Sequence, residues 1–264
     1  MSDLVAYVSG IGVRGPGLCG WPETEAVLTG RQAWVRTATS LPVPETLPPT
    51  ERRRTGRVVR LAFAAGLEAA RQANRDPAGL PVVFSSSSGD GDNCHEICQT
   101  LATANRALSP TRFHNSVHNA PAGYWSIAAG SQRPSTTICA SDASFAAGFL
   151  EAVAQMAVAE TTTALIAYDI DYPPPLYAAR PIAAPFAIAL VLEPEPGPND
   201  LARLTIRLDT AGPSQLAHRE LNALLASVPA AEGLILLEAV AARVPATVNI
   251  SFLPPQTLQI EVSP

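Results

Sequence analysis

The sequence runs to 264 residues with a net charge of −5, 47% hydrophobic and only 16% charged residues, against about 25% charged in an average soluble domain. That length suits one large domain or two small ones, and with roughly 70–75% of its surface buried such a chain needs no disulfides to hold a core. The acidic balance weighs against a nucleic-acid partner, and all 18 basic residues are arginine, which excludes Schiff-base, phosphate-loop and general-base lysines.

Leu4–Ile11 is a short apolar run rich in β-formers and closed by glycines, the pattern of a buried strand. Trp21–Gly30 has helical periodicity with Gly30 as its stop, and residues 37–50 are proline-rich and read as loop. Arg52, Arg53, Arg54, Arg57 and Arg60 surround a helix start and read as a solvated or partner-facing surface. Val58–Asn74 then places Leu61, Ala65 and Ala69 on one face of an amphipathic helix packed through small residues. Leu80–Phe84 reads as a strand running into Ser85–Gly91, Cys94–Ala107 as a helix, 109–121 as polar and irregular, and Ala122–Ala129 as a short helix. Ser135–Cys139 reads as a buried strand, followed at once by a helix from about Ala143 to Ala159. Thr163–Tyr168 and Phe186–Leu192 read as strands on either side of a proline-rich turn at Tyr172–Pro175. Strands and helices alternate, so the expected class is α/β with a largely parallel sheet and helices on both faces. After Glu193 the texture changes. The linker EPEPGPND leads to a strand candidate at Leu204–Leu208, a helix at Glu220–Leu225, an apolar run at Gly233–Val240 and a terminal strand at Leu258–Val262. The expected division is therefore 1–193 and a smaller portion, 194–264.

Four irregularly spaced cysteines read as reduced thiols, Ser2 and Asp3 replace the positive start of a secretory signal, and no run approaches the ~18 apolar residues of a membrane span, so a cytoplasmic location is expected. Gly89-Asp90-Gly91 follows a strand but lacks the glycine spacing of a dinucleotide site. Cys94 and Cys98 share a helix face while His95 points about 100° away, and no second ligand pair follows. These read as two buried thiols; no metal and no cofactor is expected. The stretch from Phe113 through His114, Asn115, His118 and Asn119 to Tyr124 and Trp125 concentrates polar specificity and large aromatics, and reads as a hydrogen-bonded loop or a subunit interface ahead of a catalytic site. A second focus is Ser135–Glu151, where a strand turns directly into a helix N-terminus. Backbone amides and the helix dipole there lower a thiol's pKa or hold an anion. Either Cys139 or Asp142 occupies that spot, and Ser141 or Asp142 is also a natural N-cap.

The opening YVSGIGVRGPG, the helix VVRLAFAAGLEAA, the strand-loop VVFSSSSG and the strand-to-helix turn occur in the order found in the first half of a β-ketoacyl synthase, a family the chain resembles over roughly residues 4–193. FHNSVHNAPAGYWSIAAG resembles the subgroup of chain-length-factor-like ketosynthases of bacterial aryl-polyene and related pigment pathways. The resemblance implies a thiolase-like fold, with mixed sheets, helices on both faces and a shortened second half. Two registers place the family's nucleophilic cysteine. Matching letters, Thr137-Ile138-Cys139-Ala140-Ser141 resembles T-A-C-A-S and selects Cys139; matching Pro134-Ser135 and Ala152 on the flanks selects Asp142 without a gap.

The family's decarboxylative condensation also uses two histidines from the second half, which stabilise the developing oxyanion and enolate, usually with a supporting lysine. Beyond Asp142 this sequence has one histidine, His218, in Ala-His-Arg-Glu where the family has His-Gly-Thr, and it has no lysine. The resemblance therefore implies no catalytic residues of its own. It implies instead a silent subunit pairing with an active ketosynthase in type II polyketide or aryl-polyene synthesis, with acyl carrier protein engaged through the complex. Phe113, His114, Asn115, His118, Asn119, Tyr124 and Trp125 are then expected at the partner contact, with Phe145 and Phe149 as acyl-pocket walls. Two other readings stay open. One is a reduced thiolase-fold enzyme, either acylated on Cys139 with His95, His114 or His118 as base or acting as a malonyl-thioester decarboxylase. The other is a stand-alone scaffold or small-molecule-binding homodimer.

Overall fold

The computed structural model describes residues 3–264. The chain begins with β1 (Leu4–Gly15), β2 (Leu18–Cys19), α1 (Trp21–Leu28), α2 (Pro49–Arg54) and α3 (Arg57–Gln72). It continues through β3 (Val82–Ser85), α4 (Gly91–Leu101), α5 (Pro110–Asn115), α6 (Ala120–Ala129), β4 (Ser135–Ile138), α7 (Ser144–Ala159), β5 (Thr163–Asp169), α8 (Pro174–Ala179) and β6 (Phe186–Glu193). The remainder forms β7 (Ala202–Asp209), α9 (Arg219–Leu225), α10 (Gly233–Ala242), β8 (Ala246–Ser251) and β9 (Thr257–Ser263).

All strands join one mixed sheet of order β4-β3-β5-β6-β1-β7-β9-β8, with β2 paired to β1. Its strands alternate between two cores. Leu165 and Ala167 of β5 and Ile188, Leu190 and Leu192 of β6 face the core beneath α1, α7, α9 and α10. Ala164, Ile166 and Tyr168, with Ala187, Ala189 and Val191, face the core beneath α3 and α6. Helices thus cover both faces, and strands buried on both sides lose the polar alternation of an exposed sheet. The small residues of α3 let it approach β1 closely: a Cβ on Gly12 would lie 2.0 Å from the carbonyl oxygen of Ala65.

The sheet is not largely parallel. Only β3–β4 and β3–β5 are parallel, and β5–β6, β6–β1, β1–β7, β7–β9 and β9–β8 are antiparallel. The six residues of α8 span about 9 Å, far less than the ~23 Å of a seven-residue strand, so the chain after β5 does not travel back along the sheet before β6 begins. β4 is also not buried. It is the terminal strand, with Ser135 exposed and Thr136–Ile138 half-buried. Cys94 and Cys98 lie on the exposed side of α4 rather than in a core, and all four cysteines are free. The last seventy residues add β7, β9 and β8 to the same sheet, with α10 covering them. Among the described residues no helix is long and apolar enough to cross a membrane.

Candidate functional site

The turn after β4 carries both candidate positions. Cys139 and Ala140 follow the strand, Ser141 adopts a left-handed conformation at φ 51, and a short 3₁₀ turn over Ser141–Ala143 leads into α7. A non-glycine residue there costs free energy and is held by its surroundings. Ser144 does the holding: its hydroxyl accepts from the amide of Ala140 at 3.0 Å and donates to the carbonyl of Ser141 at 2.7 Å. The N-cap position of α7 is Ala143, with no side-chain cap, so neither Ser141 nor Asp142 caps the helix.

Asp142 instead points outward, its side chain 85% exposed, and pairs with the guanidinium of Arg180 from the segment after α8. Arg180 also reaches the hydroxyls of Ser87 at 3.3 Å and Tyr172 at 3.4 Å. The thiol of Cys139 donates to the carbonyl of Ser87 at 3.3 Å. Among the described residues that carbonyl is its one hydrogen-bond partner, so no histidine is placed to activate it. His118 turns its Nε2 to the carbonyl of Ile138 at 3.3 Å and lies against Gly89, where a Cβ would come within 2.9 Å of its ring. His218 packs edge-on against Trp34 at 6.1 Å, and His95 sits half-buried on α4.

Beneath the turn, the fully buried Asp169 accepts the amide of Ser87 at 2.9 Å, its hydroxyl at 2.6 Å and the amide of Ala230 at 2.8 Å. Burial pushes its carboxyl up, while the bonds from Ser87 and Ala230 and the charge of Arg180 pull the other way. A cleft of about 360 Å³ opens beside Asp142 and Arg180, walled by Ile182, Leu225, Val228, Pro229 and Glu232. Burial, reinforced by the charge of Asp142, pushes the Glu232 carboxyl up to about 7. Arg180, Ser87, Asp169 and Glu232 were not legible as site residues from sequence. The one available signal was an aspartate ending the otherwise apolar strand TALIAYD.

The aromatic-polar stretch divides into anchors and surface. Tyr124 is buried and donates to Asn115 Oδ1 at 3.0 Å, and Asn115 donates onward to the carbonyl of Arg54 at 2.8 Å. Trp125 is buried edge-on against Phe63 and Phe84, at 5.3 and 6.2 Å. Phe113, His114 and Asn119 are exposed, with His114 edge-on to Tyr124 at 6.1 Å. Phe145 and Phe149 are stacked in the core at 6.1 Å, with Phe145 against Gly233 and Ile188. The arginine cluster is partly consumed: Arg52 donates to the carbonyls of Glu45 and Leu47, and Arg57 bridges Asp92 and Asp171. No group of three or more metal-ligating side chains occurs among the described residues.

The two ends of the sheet differ. At β8, Asn249 already uses its outward carbonyl and amide on Ser214, at 2.8 and 3.0 Å. At β4, the inward groups bond β3, as in Val82 N–H to Pro134 and Ser86 N–H to Ile138, both at 3.1 Å. Alternation then turns the amides and carbonyls of Ser135 and Thr137 outward, where they have no partner among the described residues.

Residues 26–241 match the family described as "Beta-ketoacyl synthase, N-terminal domain". The chain belongs to this family. No curated protein matches it in sequence. Solved structures similar to it include a ketosynthase (ApeO) in complex with its chain length factor (ApeC) from Xenorhabdus doucetiae, at 22% identity and TM-score 0.74, covering 98% of this chain and 99% of that one. The ishigamide ketosynthase/chain length factor follows at 16% identity and TM-score 0.70, with 98% and 99% covered. AntDE:AntF, described as a type II acyl-carrier protein in complex with its ketosynthase bound to the hexaketide, is similar at 12% identity and TM-score 0.77, with 100% and 99% covered. At these identities the likeness is one of fold: the thiolase-like ketosynthase fold expected from the sequence.

Proposed function

We propose that the chain is a non-catalytic, chain-length-factor-like subunit that pairs with an active β-ketoacyl synthase in type II polyketide or aryl-polyene assembly. The observation that carries this is Asp142. In the register that satisfies both flanks it stands where the family has its cysteine, and it is committed to an ion pair with Arg180. A carboxylate is a poor nucleophile toward a thioester, and its charge opposes an enolate forming nearby. The lone second-half histidine, His218, packs against Trp34. Cys139 as an acyl acceptor has no observation in its favour, because its thiol faces a carbonyl and not a base.

The open β4 edge supports pairing there, and the likeness to ketosynthase–chain length factor structures supports a ketosynthase as the partner. The contact region is the surface of Phe113, His114 and Asn119, held in place by Asn115, His118, Tyr124 and Trp125, whereas Phe145 and Phe149 lie in the other core, beneath α7 on the opposite face of the sheet. Through this region the subunit shapes the partner's acyl pocket. Acyl carrier protein is engaged through the complex, which works in the cytoplasm. The test is a condensation assay with malonyl- and acyl-loaded carrier protein, using this chain and a ketosynthase of the same genome that keeps the cysteine and both histidines, singly and together. Full product is expected only from the pair; condensed product from this chain alone overturns the proposal.

A further inference from the structure

We infer that Glu151 decides which chain can pair at the β4 edge: it disfavours a second copy of this chain and fits a partner of the same fold that presents a cation at the facing position. This rests on the pairing proposed above. Glu151 is the one charged residue of α7. It lies on the outward face of that helix with Ala154, Gln155 and Val158, the last 88% exposed. With Pro134 and Thr136 these residues line a groove of about 450 Å³ beside β4. Gln155 Nε2 donates to Thr136 Oγ1 at 2.8 Å and to Glu151 Oε1 at 2.7 Å, so the carboxylate stands two hydrogen bonds from the middle of the edge strand. Gln155 is its one partner among the described residues, and no cation neutralises it.

Two identical chains joined antiparallel along β4 are related by a two-fold axis that runs through the strand pair, perpendicular to the sheet. Such an axis leaves both α7 helices on the same face of the sheet, so each outward face meets its own copy. Because Glu151 is tied through Gln155 to Thr136, close to that axis, the two carboxylates are brought together in the interface. Like charges so placed weaken association by about ten-fold or more. Arg133, the nearest cation along the chain, lies about 10 Å from Thr136 at ~3.3 Å per residue, and the antiparallel copy sets it beside the opposite, Cys139 end of its mate. The rest of the groove is apolar or small, so an arginine or lysine from a partner helix, opposite Glu151, meets no competing charge.

The test mixes wild type with Glu151→Arg, each carrying a different mass tag, and reads dimer fractions by native mass spectrometry after circular dichroism has confirmed that both fold. The mixed dimer is expected to form at least about ten-fold more tightly than either self-dimer, and Glu151→Gln to self-associate more tightly than wild type. A wild-type self-dimer as tight as the mixed one overturns the inference. Co-expression with a ketosynthase of the same genome that keeps the cysteine and both histidines separates the two proposals. Equal recovery of wild type and Glu151→Arg with the ketosynthase overturns only the role of Glu151, whereas failure of wild type itself to pair overturns the subunit reading.

Discussion

The amide of Ala230 donates to the carboxylate of Asp169 across 2.8 Å, and Ser87 gives that same buried group its amide and its hydroxyl. One side chain thereby fastens the C-terminal portion to the loop that holds the Cys139 thiol and Arg180. Asp169→Ala leaves four donors without their acceptor in the core, the fourth being the Ser86 hydroxyl at 3.4 Å, so a loss of about 3–5 kcal/mol is expected from urea unfolding midpoints. A loss under about 1 kcal/mol contradicts the role given to it.

Two carboxylates give stability opposite dependences on pH. Glu232 holds its proton more tightly when folded, with its pKa raised by burial from 4.5 to about 7. The stability this contributes is therefore full below pH 4.5 and lost as pH rises through about 7, a change of up to about 3 kcal/mol. Glu193 is the reverse. Although burial pushes its carboxyl up, Arg75, Thr162 and Ser9 outweigh that and hold it below its ordinary 4.5, so its contribution is present above that value and lost on acidification. Unfolding free energies of wild type and Glu232→Gln between pH 5 and 8 check this. The wild type declines across that range more steeply than the variant, which keeps the smaller decline due to other buried carboxyls such as Asp169 and Asp90.

In the proposed register that matches both flanks, Asp142→Cys puts a thiol at the family's cysteine position, yet no histidine among the described residues lies beside it to stabilise an oxyanion or enolate. Intact mass after alkylation is expected to show one adduct more than wild type, while the variant alone yields no condensed product. Arg180→Ala is expected to destabilise more than Asp142→Ala, because Asp142 is almost fully exposed whereas Arg180 also holds Ser87 and Tyr172.

Close packing makes two glycines intolerant. A Cβ on Gly12 would meet the Ala65 carbonyl at 2.0 Å, and one on Gly148 would meet the Ser85 Cβ at 2.5 Å. Neither obstacle is a flexible chain end. Gly12→Ala and Gly148→Ala are each expected to cost about 2 kcal/mol or more by thermal unfolding, against less than about 0.5 kcal/mol for Gly79→Ala, which meets nothing.

Strong periodicity made β1, α3 and α7 legible to within a few residues: the helix expected at Val58–Asn74 is Arg57–Gln72, and that at Ala143–Ala159 is Ser144–Ala159. Proline misled the reading of loops. Pro49, Pro110 and Pro174 each open a short helix, where a missing amide costs nothing, so α2, α5 and α8 lay hidden in stretches read as irregular or turn. Strand direction and edge position were not legible, because both depend on which strand lies alongside and not on local pattern. The turn itself was found from its strand-to-helix signature. Its partners were not, since Arg180 and Asp169 reach it through contacts 38 and 82 residues apart in sequence.

The central claim, a silent subunit paired with a ketosynthase through its open edge, is met most directly by co-expressing the tagged chain with a ketosynthase of the same genome that keeps the cysteine and both histidines, and weighing the purified species by native mass spectrometry. A one-to-one complex is predicted. Recovery of this chain by itself, with the ketosynthase emerging as a separate dimer, would contradict it.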